Sequence, residues 1–457
     1  MLLKLSFPVT AGMVIYSLFS LVDTFFIAKL GAASLAALTF SIPIQVFLVS
    51  IASATGVGLT SLISRVLGAG NTKLADNIAW HGILICIVYG LLAVVIARYY
   101  LSDLLILVGC TSEIFLLIHE YLQIILIGSI FIFLPIMLGS VIQGEGNTFL
   151  PMLIALVGIL INVALDPLLI FGYGPVHGMG LNGSALATIY AQIACTIMII
   201  IIVKKNKGYL GWQRSHFRLN PGVVYEIYRV GFPTIIMEIA GVFTMIVLNK
   251  IVAGYGNTAI AALGIFLRLR SFFYMPVYGL TQGVMPIAGF AYGGGNLDRV
   301  KEVFLKTSFI SVIFTGTAFY AMQYKSQWLV SFFSHDVALT SVGVTCMQLG
   351  TIFIPLMGPL VILYTVLQSI GKGSTAMWIS LIRNLVFFFP LLIILPEYWG
   401  LRGVWLAFSL SELLALIISG PFFVSLWREL QVKNKLRLIM LSNPSYLFKR
   451  IIAWLRF

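Results

Sequence analysis

Charge is what this chain has least of. Only 9% of its 457 residues are Asp, Glu, Lys or Arg, against roughly 25% in a soluble domain. With 60% of residues hydrophobic, a compact globule would lack the polar surface to cover its own core. This excludes an ordinary water-soluble domain and makes the bilayer the natural solvent. Cysteine is also scarce. Cys86, Cys110, Cys195 and Cys346 stand singly, with no CxxC spacing, so no zinc or redox motif is expected and all four read as small core residues. The five histidines, His81, His119, His177, His216 and His335, are dispersed and make no metal-ligand or nucleophile cluster in the sequence. GxxxxGK[ST], GxSxG and HExxH are missing, which removes direct ATP coupling and two families of hydrolase. Gly293-Gly294-Gly295 has no following Lys-Ser/Thr and reads as a loop. No enzyme and no cofactor is expected.

What the chain does have is apolar length. Six hydrophobic stretches fall in the first half, at Leu5–Ala28, Leu35–Ile63, Asn77–Ala97, Ile114–Ile142, Leu150–Phe171 and Gly183–Val203. Six more follow at Val223–Ala253, Ala259–Phe290, Val303–Met322, Thr340–Ile370, Met377–Leu395 and Val404–Trp427. Each suits a helix crossing the hydrocarbon, which takes about 20 apolar residues. Twelve crossings place both termini on one side. Met1–Phe7 has one Lys and no small-residue cleavage site, so a removed leader is not expected and the first helix should stay in the mature chain.

The net charge of +13 is concentrated. The link between the sixth and seventh stretches carries Lys204, Lys205, Lys207, Arg214 and Arg218, and the tail is basic, while the opposite set of links holds little more than Lys29, Arg98, Lys250, Lys325 and Arg402. This asymmetry puts both termini in the cytoplasm of a cell (plasma or inner) membrane and accounts for the charge without nucleic acid. Residues 431–457 read as a basic amphipathic tail lying on anionic lipid.

The sequence repeats itself at an offset of 225 residues. Phe7-Pro8 matches Phe232-Pro233, Gly31 matches Gly256, and Ala36-Ala37-Leu38 matches Ala261-Ala262-Leu263. Gly68, Asn71, Gln123, Gln143 and Gly146 match Gly293, Asn296, Gln348, Gln368 and Gly371. Gly, Pro, Asn and Gln held in register by one offset are not an accident of apolar composition. A period of six crossings means that both halves enter the membrane in the same direction. The expected fold is therefore all-α, twelve transmembrane helices in two six-helix lobes, with pseudo-two-fold symmetry along the membrane normal. Residues 1–212 form the N-lobe with the basic link, 213–430 the C-lobe, and 431–457 the tail. Such a fold suits alternating access.

Polar groups within the stretches point to the chemistry, because a charge at mid-membrane costs at least about 2.5 kcal/mol. Asp23 lies late in the first stretch, where it is either a proton or cation site or an interfacial residue near Lys29. Asn162 and Asp166 are spaced i, i+4 and share a helix face, with Pro167 next. An amide, a carboxylate and a weakened helix make an oxygen-rich pocket for Na⁺ or a proton, or else a structural turn. Glu238 is a possible second titratable site, or a wet residue near the inner end. Arg268, Arg270 and Arg383 read as braces for carboxylates. The 33 Phe, 19 Tyr and 8 Trp furnish walls for apolar or cationic substrates.

These motifs resemble the multidrug and toxic compound extrusion (MATE) family, in its prokaryotic DinF-like branch, over about residues 5–427. The carriers are Phe7-Pro8 with Asp23-Thr24, Leu30-Gly31, Ser64-Arg65 with Gly68-Ala69-Gly70-Asn71, Gln143-Gly144-Glu145-Gly146-Asn147-Thr148, Asn162 with Asp166-Pro167, and Gly183-Ser184-Ala185. The resemblance implies antiport of organic, often cationic, compounds against H⁺ or Na⁺. It implies that Asp23, Asn162, Asp166 and Thr188 make the N-lobe cation or proton site and would ligate the metal if the ion is Na⁺. Tyr121 resembles a nearby hydrogen-bonding tyrosine, and Pro8 resembles the proline of helix 1 where bending occurs. Glu238 departs from the spacing of the acidic residue in NorM-like members. Small organic substrates and membrane lipid are the partners expected of a monomer. Two other functions compete: flipping of a lipid-linked or amphiphilic carrier, and an intramembrane enzyme acting on lipid, for which no catalytic cluster is present.

Overall fold

The computed structural model describes residues 6, 9–13, 15, 26–107, 110, 112–174, 176–205, 208, 210–334 and 336–442. Helix dominates. The first half holds α1 (Ala32–Gly68), α2 (Thr72–Val95), a π-helical turn (Ile96–Tyr100), α3 (Leu101–Leu107), α4 (Ser112–Ile127), α5 (Ser129–Gly144), α6 (Phe149–Phe171) and α7 (Leu181–Lys205). The second half holds α8 (Pro221–Ala253), α9 (Asn257–Gly293), α10 (Leu297–Tyr324), α11 (Ser326–Ser331), α12 (Val337–Gly350), α13 (Ile354–Ser369), α14 (Gly373–Leu381), a second π turn (Ile382–Phe388), α15 (Phe389–Trp399) and α16 (Leu401–Ser442). A two-residue ladder, β1 (Gly172–Tyr173) against β2 (Val176–His177), pairs antiparallel after α6.

Among the described residues, nine helical runs are long and apolar enough to cross a membrane, and two bent pairs raise this to eleven. Most of the first expected stretch, Leu5–Ala28, lies outside the described residues. The expected stretches at Ile114–Ile142 and Thr340–Ile370 each consist of two helices that meet at a bend. α4 and α5 meet at 46°, α12 and α13 at 54°. In the first break Gly128 presses on Ile189, with only 2.5 Å for an added Cβ. In the second, Pro355 at the start of α13 cannot donate a backbone hydrogen bond into the preceding turn.

The repeat is visible in backbone conformation. α1 and α9 begin and end 225 residues apart, and so do the start of α4 and α12 and the end of α5 and α13. Gly31, Gly70 and Gly146 have φ of +108°, +81° and +93°, and their counterparts Gly256, Gly295 and Gly371 have +94°, +71° and +85°. Asn71 caps α2 by accepting from the Leu74 N–H, and Asn296 caps α10 by accepting from the Arg299 N–H. The ends of α1 and α9 cross reciprocally. A Cβ on Gly68 would sit 2.1 Å from the Phe290 carbonyl oxygen, and one on Gly293 would sit 1.8 Å from that of Arg65. Arg65 and Phe290 are themselves one repeat apart, so the same contact is made twice.

By compactness the chain forms two units. The first comprises residues 1–63, 71–235 and 278–283, and the second 64–70, 236–277 and 284–457. The first has a core of buried Leu101, Leu105, Ile118, Leu122, Ile125 and neighbouring side chains. Its link after α7 is strapped to α2. Asp76, 2% exposed, accepts from the Trp212 N–H at 3.1 Å and pairs with His216 Nδ1 at 2.8 Å. His81 Nε2 accepts from the Asn220 N–H at 3.1 Å, and the Asn77 side chain accepts from the Arg218 N–H at 3.3 Å. Thus two of the dispersed histidines anchor the inter-half link. In the second unit α16 runs unbroken for 42 residues, about 63 Å at 1.5 Å per residue, roughly twice the hydrocarbon thickness.

Candidate ion-coupling site

The site in the first unit is built by α6 and α7. Two close approaches fix these helices against each other. At one end a Cβ on Gly158 would lie 2.3 Å from Cys195 Sγ, and at the other a Cβ on Gly183 would lie 2.2 Å from the Leu169 carbonyl oxygen. The turn between the helices folds back so that the Met179 and Gly180 N–H groups donate to the Leu169 and Ile170 carbonyls at 2.8 and 3.1 Å. These bonds satisfy carbonyls that the end of a helix leaves open.

Between the two contacts sit Asn162, Asp166 and Thr188. Asp166 is fully buried, and Asn162 and Thr188 are half-buried. Asn162 Nδ2 lies 3.5 Å from Asp166 Oδ1 and 3.5 Å from Thr188 Oγ1. Both distances are at the outer limit of a hydrogen bond, so the oxygens are gathered without being locked together. Pro167 follows within the same helix and has no N–H for the Val163 carbonyl. The result is a carboxylate, an amide, a hydroxyl and an under-used carbonyl on one helix pair. Hard oxygen ligands suit an alkali ion, and the same carboxylate can take a proton.

Tyr121 is 3% exposed on α4. Its hydroxyl lies 3.4 Å from Gln45 Nε2 on α1, which in turn donates to Ser41 Oγ at 2.9 Å. α4 is tied to α7 by Asn182 Nδ2, which donates to Glu120 Oε2 at 2.7 Å. The structure thus brings Asn162, Asp166 and Thr188 together and places Tyr121 on a helix bonded to the same α7. Asp23 and Pro8 lie outside the described residues. Glu238 belongs to the second unit, exposed on α8, without a hydrogen bond or ion pair among the described residues.

The arginines of the second unit divide. Arg270 on α9 forms an ion pair with Glu412 on α16 at 2.6 Å, as a brace should. Arg383 lies in the second π turn and donates to Asn384 Oδ1 and Met357 Sδ at 3.2 and 3.4 Å. Arg268 is exposed. Glu412, only 2% exposed, was legible as a carboxylate within the last stretch, but nothing in the sequence ties it to Arg270.

Comparison with known proteins decides the family. The MatE family model matches twice, at residues 8–168 and 233–394. The chain belongs to the MatE family. The two matches start 225 residues apart, which is the offset of the internal repeat. Members of the family are transporters, and this chain is a multi-pass membrane transporter and not an enzyme. The chain is 27% identical over 425 residues to a multidrug export protein, MepA, of Staphylococcus aureus (strain MRSA252), covering 91% of this chain and 92% of that protein. It is 26% identical over 417 residues to an FAD transporter of Shewanella oneidensis, covering 90% and 91%. A solved structure described as MATE in the bent conformation superposes with a TM-score of 0.88 at 23% identity, covering 95% of this chain and 96% of that one. A transporter of the MOP superfamily from Pyrococcus furiosus gives 0.85 at 23%, covering 94% and 96%. These likenesses show the fold.

Proposed function

We propose that this MatE-family protein is a secondary active multidrug exporter that releases small organic compounds, often cationic, in exchange for H⁺ or Na⁺. The observation that carries this reading is the fully buried Asp166 gathered with Asn162 and Thr188 between α6 and α7. A carboxylate at membrane depth is costly, and such residues usually serve ion or substrate pathways. Its likeness over nine-tenths of its length to a multidrug export protein supports the same reading.

In this scheme an ion entering from outside occupies Asp23, Asn162, Asp166 and Thr188, with Tyr121 supporting them and the expected stretch Leu5–Ala28 bending at Pro8. Binding favours the state that releases substrate outward, and substrate loading from inside competes with the retained ion. The ion must bind one state better than the other, because equal affinity shifts nothing. The basic link and tail support an orientation in the cell membrane with both termini on the cytoplasmic side. Glu238 adds a titratable group to the second half. The protein works as a monomer among lipids, with the ion as its only inorganic requirement.

The test is efflux of ethidium from proteoliposomes under an imposed Na⁺ gradient and then an imposed pH gradient. One gradient should drive export in the parent, and Asp23→Asn or Asp166→Asn should abolish that drive at equal reconstitution. Gradient-driven export that survives both substitutions would overturn the scheme.

A further inference from the structure

The interior of the second unit holds a polar cluster that the coupling site does not use. Its centre is the Arg270–Glu412 pair. The Arg270 guanidinium lies 5.3 Å from the ring centre of Phe408 and 5.6 Å from that of Tyr274, so aromatic faces hold it in place. Arg383 interacts electrostatically with Glu412 and with Tyr364. Met357, which Arg383 touches, and Tyr364 are seven residues apart on α13, two turns along one face.

Three groups in this cluster are under-used. The Tyr364 hydroxyl is buried without a hydrogen-bond partner, in a residue 7% exposed. Glu412 Oε2 is buried without one as well. Arg383, with five donors available to a guanidinium, has one amide oxygen and one thioether. Among the described residues it has no carboxylate within ion-pair distance. Buried polar groups are nearly always satisfied, and a set left open at one place needs an explanation. Arg383 also lies on a π turn, a rare conformation concentrated at functional positions.

The charges count to a definite ligand. Arg270 and Glu412 neutralise each other, leaving Arg383 as one excess positive charge. A monocarboxylate cancels it and fits a planar guanidinium fork with two parallel hydrogen bonds. A phosphate dianion would leave an uncompensated negative charge in a low-dielectric interior. At the positions one repeat earlier, Arg270, Tyr364 and Arg383 correspond to Gln45, Gly139 and Gly158, and Glu412, nine residues past Gly403 as Gln192 is past Gly183, corresponds to Gln192, so the first half has no charged copy of this cluster. We infer that Arg383 and the Tyr364 hydroxyl form a binding site for the carboxylate of a small organic acid, beside the Arg270–Glu412 pair. Tyr364 donates to one carboxylate oxygen and Arg383 to both. Glu412 Oε2 then remains as an acceptor for an N–H group of the same ligand.

The test uses the full chain in nanodiscs of phosphatidylcholine and two fluorescent probes, dansylglycine and its uncharged amide. The parent should bind the acid about tenfold or more tighter than the amide, the scale of a charge-assisted hydrogen bond. Arg383→Gln should erase that preference, Tyr364→Phe should reduce it, and Arg383→Lys should keep part of it. Ethidium export by Arg383→Gln checks that the variant folds and separates this site from the coupling site. Equal binding of acid and amide by the parent would overturn the proposal, as would a preference that survives Arg383→Gln together with Tyr364→Phe.

Discussion

Gly183→Ala tests how the coupling site is assembled. Gly183 has no unusual φ, so the substitution changes space alone. The new Cβ would stand 2.2 Å from the Leu169 carbonyl oxygen, 2.5 Å from its carbon and 2.8 Å from the Ile170 nitrogen. All three are backbone atoms and cannot rotate away. The oxygen lies about 0.8 Å inside the 3.0 Å that real Cβ contacts hardly ever undercut, so α7 must move off α6 at this end. With the helices pinned at Gly158 and Cys195, the displacement scales along the axis. Thr188 is five residues from Gly183 and seven from Cys195, so it moves by about 0.5 Å for a uniform rise per residue. The Asn162–Thr188 contact stands at 3.5 Å, and this shift takes it out of hydrogen-bond range. Overpacking of this kind costs about 1–3 kcal/mol, which an otherwise intact membrane bundle tolerates. The expected outcome is a folded, inserted protein whose gradient-driven ethidium efflux falls about tenfold or more. Ala187→Gly on the same helix, which adds no atom, should retain efflux. Efflux per folded molecule equal to the parent in Gly183→Ala would refute the link between this close approach and ion coupling.

The other substitutions probe separate parts of the fold. Asp76→Ala leaves the Trp212 N–H and His216 without their acceptor, a loss of about 1–3 kcal/mol, and should speed proteolysis within residues 210–220 while Asp103→Ala, an exposed acidic control, does not. Gly293→Ala drives a Cβ to 1.8 Å from the Arg65 carbonyl oxygen and should lower the melting temperature of the purified protein by more than Gly241→Ala, where an added Cβ meets nothing within 4 Å. Glu412→Gln removes one member of a buried ion pair, which costs about 3–5 kcal/mol. Exchanging the partners as Arg270→Glu with Glu412→Arg should recover part of that loss in thermal melting, and recovery no better than additive would mean that the pair does not act as a unit.

Much of the architecture was legible in the residues. Apolar length against sparse charge required a membrane helical protein, and Gly, Asn and Pro recurring at one offset required two related halves. The physical reason is that both signals are local. A span needs about 20 apolar residues in a row, and a left-handed turn needs glycine, so Gly31, Gly70 and Gly146 and their three counterparts announce matching turns. Asn162 and Asp166 were also readable as one face, because four residues make about one helical turn. What the sequence by itself left open was every relation across helices. Thr188 joins Asn162 only because two close approaches hold α7 to α6. Asp76 meets His216 and His81 meets the Asn220 N–H, across 140 and 139 residues of chain, because the link folds back on α2. Arg270 finds Glu412 from 142 residues away, and the bends at Gly128 and near Pro355 come from local contacts that hydropathy does not record. Periodicity and composition fix which surfaces a helix buries. Which side chains then face one another depends on differences of a few tenths of an ångström in how closely helices approach, and only the packed structure decides those.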